Sequence, residues 1–295
     1  MLDQPIELQT EVFAELPEKW RKKDTTAEWL IVQRRGFKTH SFLEGPCFDA
    51  AGNLYFTDIP YGRIFKAKPS GEVDLVAEYD GEPNGMKIVE EGVALIADHK
   101  LGLVRLNLVT AEVSTYFDRP LLERFKGLND LHIADNGDIY FTDQGQSGLQ
   151  DPSGKVYRLS PQGRLDCLLS DIPSPNGIVL DPQQEHVLVA VTRANQVWRL
   201  PLLLDGSTSK VGAYINLSGG VGPDGLARDS AGNLAVCHPG LGITWIFSPW
   251  GEPLYRIRTC RGRMTTNCAY DPSDESLLYI TDSDSGSILR ARLPR

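Results

Sequence analysis

Six oxygen-bearing side chains stand at near-regular distances along the chain: Glu44, Asn84, Asn129, Asn176, Asp224 and Asn267. The steps between them are 40, 45, 47, 48 and 43 residues. Each opens a stretch that turns apolar directly afterwards, as in Pro83-Asn84-Gly-Met-Lys-Ile88, Pro175-Asn176-Gly-Ile-Val-Leu180 and Pro223-Asp224-Gly-Leu-Ala-Arg228. Two carboxylates and four amides brought to one place make an oxygen-only donor set. Hard cations take such sets, and Ca²⁺ accepts about six to eight oxygens, water included. Glu44 and Asp224 would neutralise a divalent ion, while amide oxygens add coordination without further repulsion. Left facing each other without a cation, the two acids would raise one another's pKa. Taken singly, Asn84, Asn176 and Asp224 each precede glycine, and such dipeptides are also strong turn formers. Their shared register is what favours a ring of ligands. Glu44 carries the most information, because Glu is a poor turn former and here precedes Gly45-Pro46.

The elements that must position these residues are short and punctuated by glycine. After Pro46-Cys-Phe-Asp49 comes a turn at Ala51-Gly52, then Asn53–Asp58, a turn at Tyr61-Gly62, Arg63–Lys68, a turn at Ser70-Gly71, and Val73–Tyr79. Four short strands in about forty residues is the size of one propeller blade. The unit returns at Met86–Phe117 and Leu131–Leu169. Its clear strands thereafter are Val187–Val191 with Gln196–Leu200, Asn233–Cys237 with Gly242–Phe247, and Leu277–Thr281 with Ser287–Leu293. The spacing predicts an all-β, six-bladed propeller of four-stranded antiparallel blades. The last unit lacks a fourth strand, and an open ring would expose an edge. Glu11-Val-Phe-Ala-Glu-Leu16 alternates as a half-buried strand should and is predicted to close blade six. Residues 1–40 thus form a leading segment that supplies the closing strand, and residues 41–295 the propeller. Residues 1–10 read as a loose lead-in, Glu18–Lys23 as a helical turn or two, and Ala27–Lys38 carries only a weak pattern. A β-sandwich with coincidental spacing is the competing arrangement, but the four-strand unit recurs too often for it.

In a propeller the first strand of each blade lines the central channel, and its opening residue points into one mouth. The loop between strands two and three returns to that mouth. The six spaced residues should therefore ring one opening, with the long loop Asp143–Gly154 beside them as a lid or a solvated excursion. His238, at the end of a second strand, falls near the mouth as a candidate substrate contact. His132, three residues after its opening residue, reads more simply as packed in the first strand, and Asp98-His99 and Asp143 carry a weak signal. No histidine pair has zinc spacing, and no G-x-S-x-G elbow is present.

Net charge is −9 with acids and bases interspersed, which argues against a nucleic-acid partner. Five widely spaced cysteines without a C-x-x-C pair read as reduced, mostly buried thiols, with a Cys260–Cys268 bridge disfavoured. No secretory pattern opens the chain and no apolar run is long enough to span a membrane, so a cytoplasmic protein without membrane contact is expected. Oligomeric state is left open.

Leu43-Glu44-Gly-Pro, Asn129-Asp130 followed by Asp138-Ile-Tyr-Phe-Thr-Asp143, Pro175-Asn176-Gly177 and Pro223-Asp224-Gly225 together resemble the SMP-30/gluconolactonase/luciferin-regenerating-enzyme family of six-bladed propellers. The resemblance covers about residues 41–293. It implies that Glu44, Asn129, Asn176 and Asp224 bind one divalent cation, Ca²⁺ foremost, with Mg²⁺, Mn²⁺ or Zn²⁺ as other occupants. It also implies hydrolysis of a small lactone or ester, with the carbonyl polarised by the cation and Asp224 acting as general base or, in the related phosphotriesterase reaction, as nucleophile. Asn84, Gln144, His238 and Asn267 are the further pocket candidates. One departure stands out. Family members acting on sugar lactones tend to carry Arg two residues before the third-blade Asn, and here that position is Gly127, beside Lys126. An organophosphate or aryl-ester hydrolase, and a non-catalytic propeller that keeps the cation for structure, are the alternatives.

Overall fold

The computed structural model describes residues 4–22 and 26–294. Six sheets form a ring, as the spacing predicts. Blade one comprises Leu43–Phe48, Leu54–Asp58, Arg63–Ala67 and Val73–Glu78, paired antiparallel in that order. Blades two to four repeat the order over residues 83–117, 128–172 and 175–216. Tight turns join the first two strands for a local reason. Asp49 accepts the backbone N–H groups of Ala51 and Asn53 at 2.9 and 2.8 Å, and Asp229 repeats the motif in blade five, accepting Asn233 N–H at 2.8 Å.

Glu11–Glu15 pairs antiparallel with Ser287–Arg292, in register Glu11↔Arg290, and so supplies the fourth strand of blade six. The lead-in reading of residues 1–10 needs correction beyond residues 1–3, which lie outside the described residues. Ile6–Gln9 is a strand, parallel to Pro253–Arg258 on the outer edge of blade five. Four residues are too few for a periodic signal, and the strand is held by its backbone pairing and by Leu8 packing against the buried cluster that includes Ile257 and Leu293. Thr10 is the pivot between the two blades. Its N–H donates to Arg258 O, and its Oγ1 accepts from Cys260 N–H, both at 2.9 Å. Glu18–Trp20 forms a single 3₁₀ turn, Lys23 lying outside the described residues, and the weakly patterned stretch holds a short helix, Glu28–Gln33.

The core is a ring of layers between blades rather than one nucleus. Tyr140 and Val156 of blade three meet Ile178 and Val189 of blade four, and Leu43, Phe56 and Phe65 of blade one meet Ala14, Tyr279 and Ile288 of blade six. Hydroxyls latch the inner strands across these layers. Thr57 Oγ1 donates to Asn84 O at 2.9 Å, Thr142 Oγ1 to Asn176 O at 2.8 Å, Thr192 Oγ1 to Pro223 O at 2.8 Å, and Ser283 Oγ to Leu43 O at 2.8 Å. The carbonyls so held lie at the mouth end of a first strand or, for Pro223, just ahead of one, so the latches that close the ring also fix the spacing of the site.

Candidate metal centre and substrate cavity

The opening residues of five first strands share a backbone irregularity. Register shifts occur between Glu44 and Cys47, Pro83 and Met86, Leu128 and Leu131, Pro175 and Ile178, and Thr265 and Cys268. A bulge takes a residue out of the ladder and re-aims its side chain. In blade five Asp224 lies just ahead of the strand Leu226–Arg228. Crowding at the axis demands small neighbours: a Cβ on Gly225 would come within 2.2 Å of the Asn267 amide.

Glu44, Asn84, Asn129, Asn176 and Asp224 all line one cavity of about 720 Å³, together with Gln144. The four residues Glu44, Asn84, Asn129 and Asn176 are buried, while Asp224 keeps part of its surface open to the cavity. Asn267 lies behind them. Its Nδ2 donates to Glu44 Oε2 at 2.9 Å, its Oδ1 accepts Cys268 N–H at 2.8 Å, and its Nδ2 also approaches Asp130 Oδ2 at 3.5 Å. Gln144 acts on a ligand candidate directly: its Oε1 accepts from Asn129 Nδ2 at 3.1 Å, and its Nε2 donates to Ser174 Oγ at 2.9 Å. With the Asn129 nitrogen so engaged, its oxygen is the free end.

Burial pushes Glu44 well above the usual carboxylate range, and the neighbouring Asp224 and Asp130 charges add to this against the Gly45 N–H and the Asn267 amide. Asp224 is pushed up to about 7, again by burial first and by Asp130, with the Asn176 amide and the Arg193 charge working the other way. Such a pair is what a cation would relieve. Asn84 adds an independent sign, since its Oδ1 is buried without a hydrogen-bond partner among the described residues. An orphaned amide oxygen beside two acids suits an oxygen-seeking ion. Among the described residues no three His, Cys, Asp or Glu side chains group as ligands; the donors in the cavity are mixed, acids with amides.

His238 lies outside the cavity wall and is 1% exposed. Its Nε2 faces Gly219 O at 3.0 Å, and Trp245 Nε1 donates to its Nδ1 at 3.3 Å. Burial lowers its pKa, so the neutral ring with Nε2–H donating to the carbonyl fits both bonds. The position explains the role. At the same place in other blades stand Asp58, Asp98, Asp143 and Asp282, which accept N–H from Phe42, Glu82, Gly127 and Gly262 at 2.7, 2.9, 2.8 and 2.7 Å. His238 ties down its own blade's loop in the same way.

His99, by contrast, does line the cavity, half-buried and with its pKa lowered by desolvation. It accounts for the departure at position 127. Gly127 has φ +152°, and a Cβ there would lie 2.3 Å from the His99 ring, which occupies the space. Gly127→Arg is therefore expected to destabilise the fold by about 1–3 kcal/mol, read as a lower denaturant midpoint, and His99→Ala in the same chain should recover part of the loss.

Sequence reasoning missed the upper wall. Trp29, Arg34, Arg35 and Phe37 reach the cavity from the segment around the short helix, and Arg193 from blade four. Trp29 and Phe42 pack with centroids 4.8 Å apart, and Arg34 lies 5.3 Å over the Phe42 ring. A six-residue helix with no periodic signal gave no warning of this. The loop after Asp143 also reaches the wall, through Gln144 to Gln150. Asp130 is an acid at the position where Gly45, Gly85, Gly177 and Gly225 follow four of the other opening residues and Cys268 follows the fifth.

A family model described as "SMP-30/Gluconolactonase/LRE-like region" matches residues 42–284. The chain is 31% identical over 281 residues to a gluconolactonase of Zymomonas mobilis, covering 84% of this chain and 78% of that one. It is 30% identical over 252 residues to the lactonase drp35 of Staphylococcus aureus, covering 79% and 73%. Among solved structures, a gluconolactonase from Xanthomonas campestris superposes with TM-score 0.76 at 23% identity over 86% of each chain. A calcium-binding regucalcin from Agrobacterium tumefaciens gives 0.76 at 20% identity, over 99% and 98%. At those identities the two structures speak to the fold alone. By the family match over most of its length, this chain belongs to the SMP-30/gluconolactonase/LRE-like family.

Proposed function

We propose that this protein is a divalent-metal-dependent lactonase whose ion is held by Glu44, Asn129, Asn176 and Asp224. The observation that carries the reading is the pair of carboxylates, Glu44 and Asp224, both raised by burial and by neighbouring acids, in a single amide-lined cavity. The lactonase names of its relatives support it. Bound there, a divalent cation, Ca²⁺ foremost, would polarise the ester carbonyl and favour the developing oxyanion. The residues do the rest. Asp224 is the general base, lining the cavity with part of its surface open and placed to take a proton from attacking water. Asn176 orients Asp224, and Gln144 fixes the Asn129 amide. Asn267 and Gly45 hold the Glu44 carboxylate through its Oε2. Asn84 offers its unpaired oxygen to the substrate or the ion.

No described helix is long and apolar enough to cross a membrane, and the five cysteines are free, three of them buried. We place the protein in a reducing cytoplasm on that thiol usage. The test is acid release in a pH-stat across a panel of lactones, aryl esters and an organophosphate, with and without chelator. Sustained lactone hydrolysis that chelator stops and Ca²⁺ restores is the expected result. Hydrolysis indifferent to chelator, or none on any lactone, overturns it.

A further inference from the structure

The cavity is lined by three arginines, Arg34, Arg35 and Arg193, and by two acids, Glu44 and Asp224. Desolvation lowers the pKa of His99, the histidine in its wall, and so favours the uncharged ring. Three arginines thus face two acids in the wall, with Asp130 as a third acid behind Asn267, and a bound divalent ion turns the cavity net positive inside a chain whose net charge is −9. Such a local reversal of sign draws anions. Among the described residues none of the three guanidinium groups has an ion-pair or hydrogen-bond partner, Arg34 making only its ring contact with Phe42. Arg35 and Arg193 are exposed.

Their backbones, in contrast, are fixed. Arg193 sits in the 3₁₀ turn Thr192–Ala194, whose Thr192 N–H donates to Ser174 O at 3.0 Å and whose Arg193 N–H donates to Pro173 O at 3.3 Å. Thr192 Oγ1 ties the same turn to Pro223, next to Asp224. The Arg193 charge is close enough to act on Asp224. Arg34 closes the short helix, its N–H donating to Leu30 O at 3.0 Å, and Phe37 N–H returns to Arg34 O at 2.9 Å. Free forked donors on fixed stems are the usual means of recognising carboxylate or phosphate oxygens.

We propose that the substrate is a lactone bearing a second, anionic group, and that Arg193 with Arg34 forms the subsite that receives it. The reacting ring lies against the Glu44 and Asp224 floor. The anion, carboxylate or phosphate, points to the arginine wall, and the apolar face of the substrate lies on Trp29 and Phe42. This extends the lactonase reading by naming a substrate class, and it is tested by binding rather than turnover so that the two stand or fall separately.

The purified full chain with calcium present is titrated by calorimetry at low salt with gluconate, 6-phosphogluconate and glucarate, ring-opened acids that differ in the far group. At least one of the doubly anionic acids should bind about tenfold more tightly than gluconate, as charge-assisted contacts predict. The advantage should shrink as salt is added. Arg193→Gln and Arg34→Gln should each cut the affinity ratio several-fold while leaving Tm unchanged. Which of the two anions gains identifies the source of the charge. Equal affinities for all three acids, or a ratio unmoved in both variants, overturns the proposal. A chain that opens no lactone yet keeps the ratio sinks the lactonase reading alone; a lactonase blind to the far charge sinks this one alone.

Discussion

Asp224→Asn is expected to lower kcat for lactone opening by about 10²–10⁴-fold, the contribution typical of a positioned general base. The substitution keeps shape and a hydrogen-bonding oxygen while removing the proton acceptor. Glu44→Gln should fall as far for a different reason: it leaves an acceptor for Asn267 Nδ2 and Gly45 N–H, which now hold Glu44 Oε2 at 2.9 Å each, but removes a charge from the donor set. A thermal readout separates the two roles from simple damage. Anything that binds only the folded state stabilises by mass action, about 2.7 kcal/mol at a hundred times Kd. Saturating Ca²⁺ should therefore raise Tm in the wild-type chain and raise it far less in either variant. Both variants should otherwise fold, since each removes a charge whose ionised form is disfavoured by desolvation and by a neighbouring acid. Near-normal turnover in both variants would remove the site from the reaction. Normal turnover in Asp224→Asn alone would leave the ion set and dismiss the base.

The architecture was legible because the propeller repeats its signals. Gly-punctuated strands at a forty-residue period, and a spare alternating segment at Glu11–Leu16, left little freedom in how the ring closes. The opening residues were legible for the same reason, since equivalent positions in a ring point at a common axis. What escaped was everything that depends on one blade differing from the next. His238 looked chemical by residue type, yet in register it is the counterpart of Asp58, Asp98, Asp143 and Asp282, whose work is on loop backbone. The Thr57-Asp58, Thr142-Asp143 and Thr281-Asp282 repeats carry that signal at strand ends rather than at strand beginnings. Trp29, Arg34 and Arg193 left no periodic trace at all, because the wall of a funnel is built from non-repeating insertions. Ile6–Gln9 escaped for a related reason: a strand that only adds to an edge takes its stability from the edge.

The largest loss of stability is expected from Arg63→Ala, about 3–5 kcal/mol, because it strands a buried acid. Arg63 and Asp58 are 1% and 0% exposed and ion-paired, with Arg63 Nε donating to Asp58 Oδ2 at 2.9 Å and a second bond from its Nη2. Arg63 Nη1 also donates to Trp20 O at 2.6 Å, and the guanidinium lies 5.0 Å from the Tyr61 ring centroid and 5.1 Å from that of Phe65. Asp58 Oδ1 accepts Phe42 N–H at 2.7 Å, two residues before Glu44, so the pair joins the N-terminal segment to the floor of the cavity. Even with Arg63 opposing it, burial lifts Asp58 from 3.8 to about 6. A carboxyl raised in the folded state favours folding most below its unfolded pKa, and that contribution is lost as pH rises through the folded value. Without Arg63 the folded value moves higher still, so the deficit of the variant should widen between roughly pH 5 and 8. Denaturant midpoints measured across that range give the slope. Asp58→Asn added to Arg63→Met should recover much of the loss and flatten the pH dependence, since Asn keeps an acceptor for Phe42 while no charge is left unpaired. A deficit that stays constant with pH, or that deepens in the double variant, would mean that Arg63 acts through its packing and not through its charge.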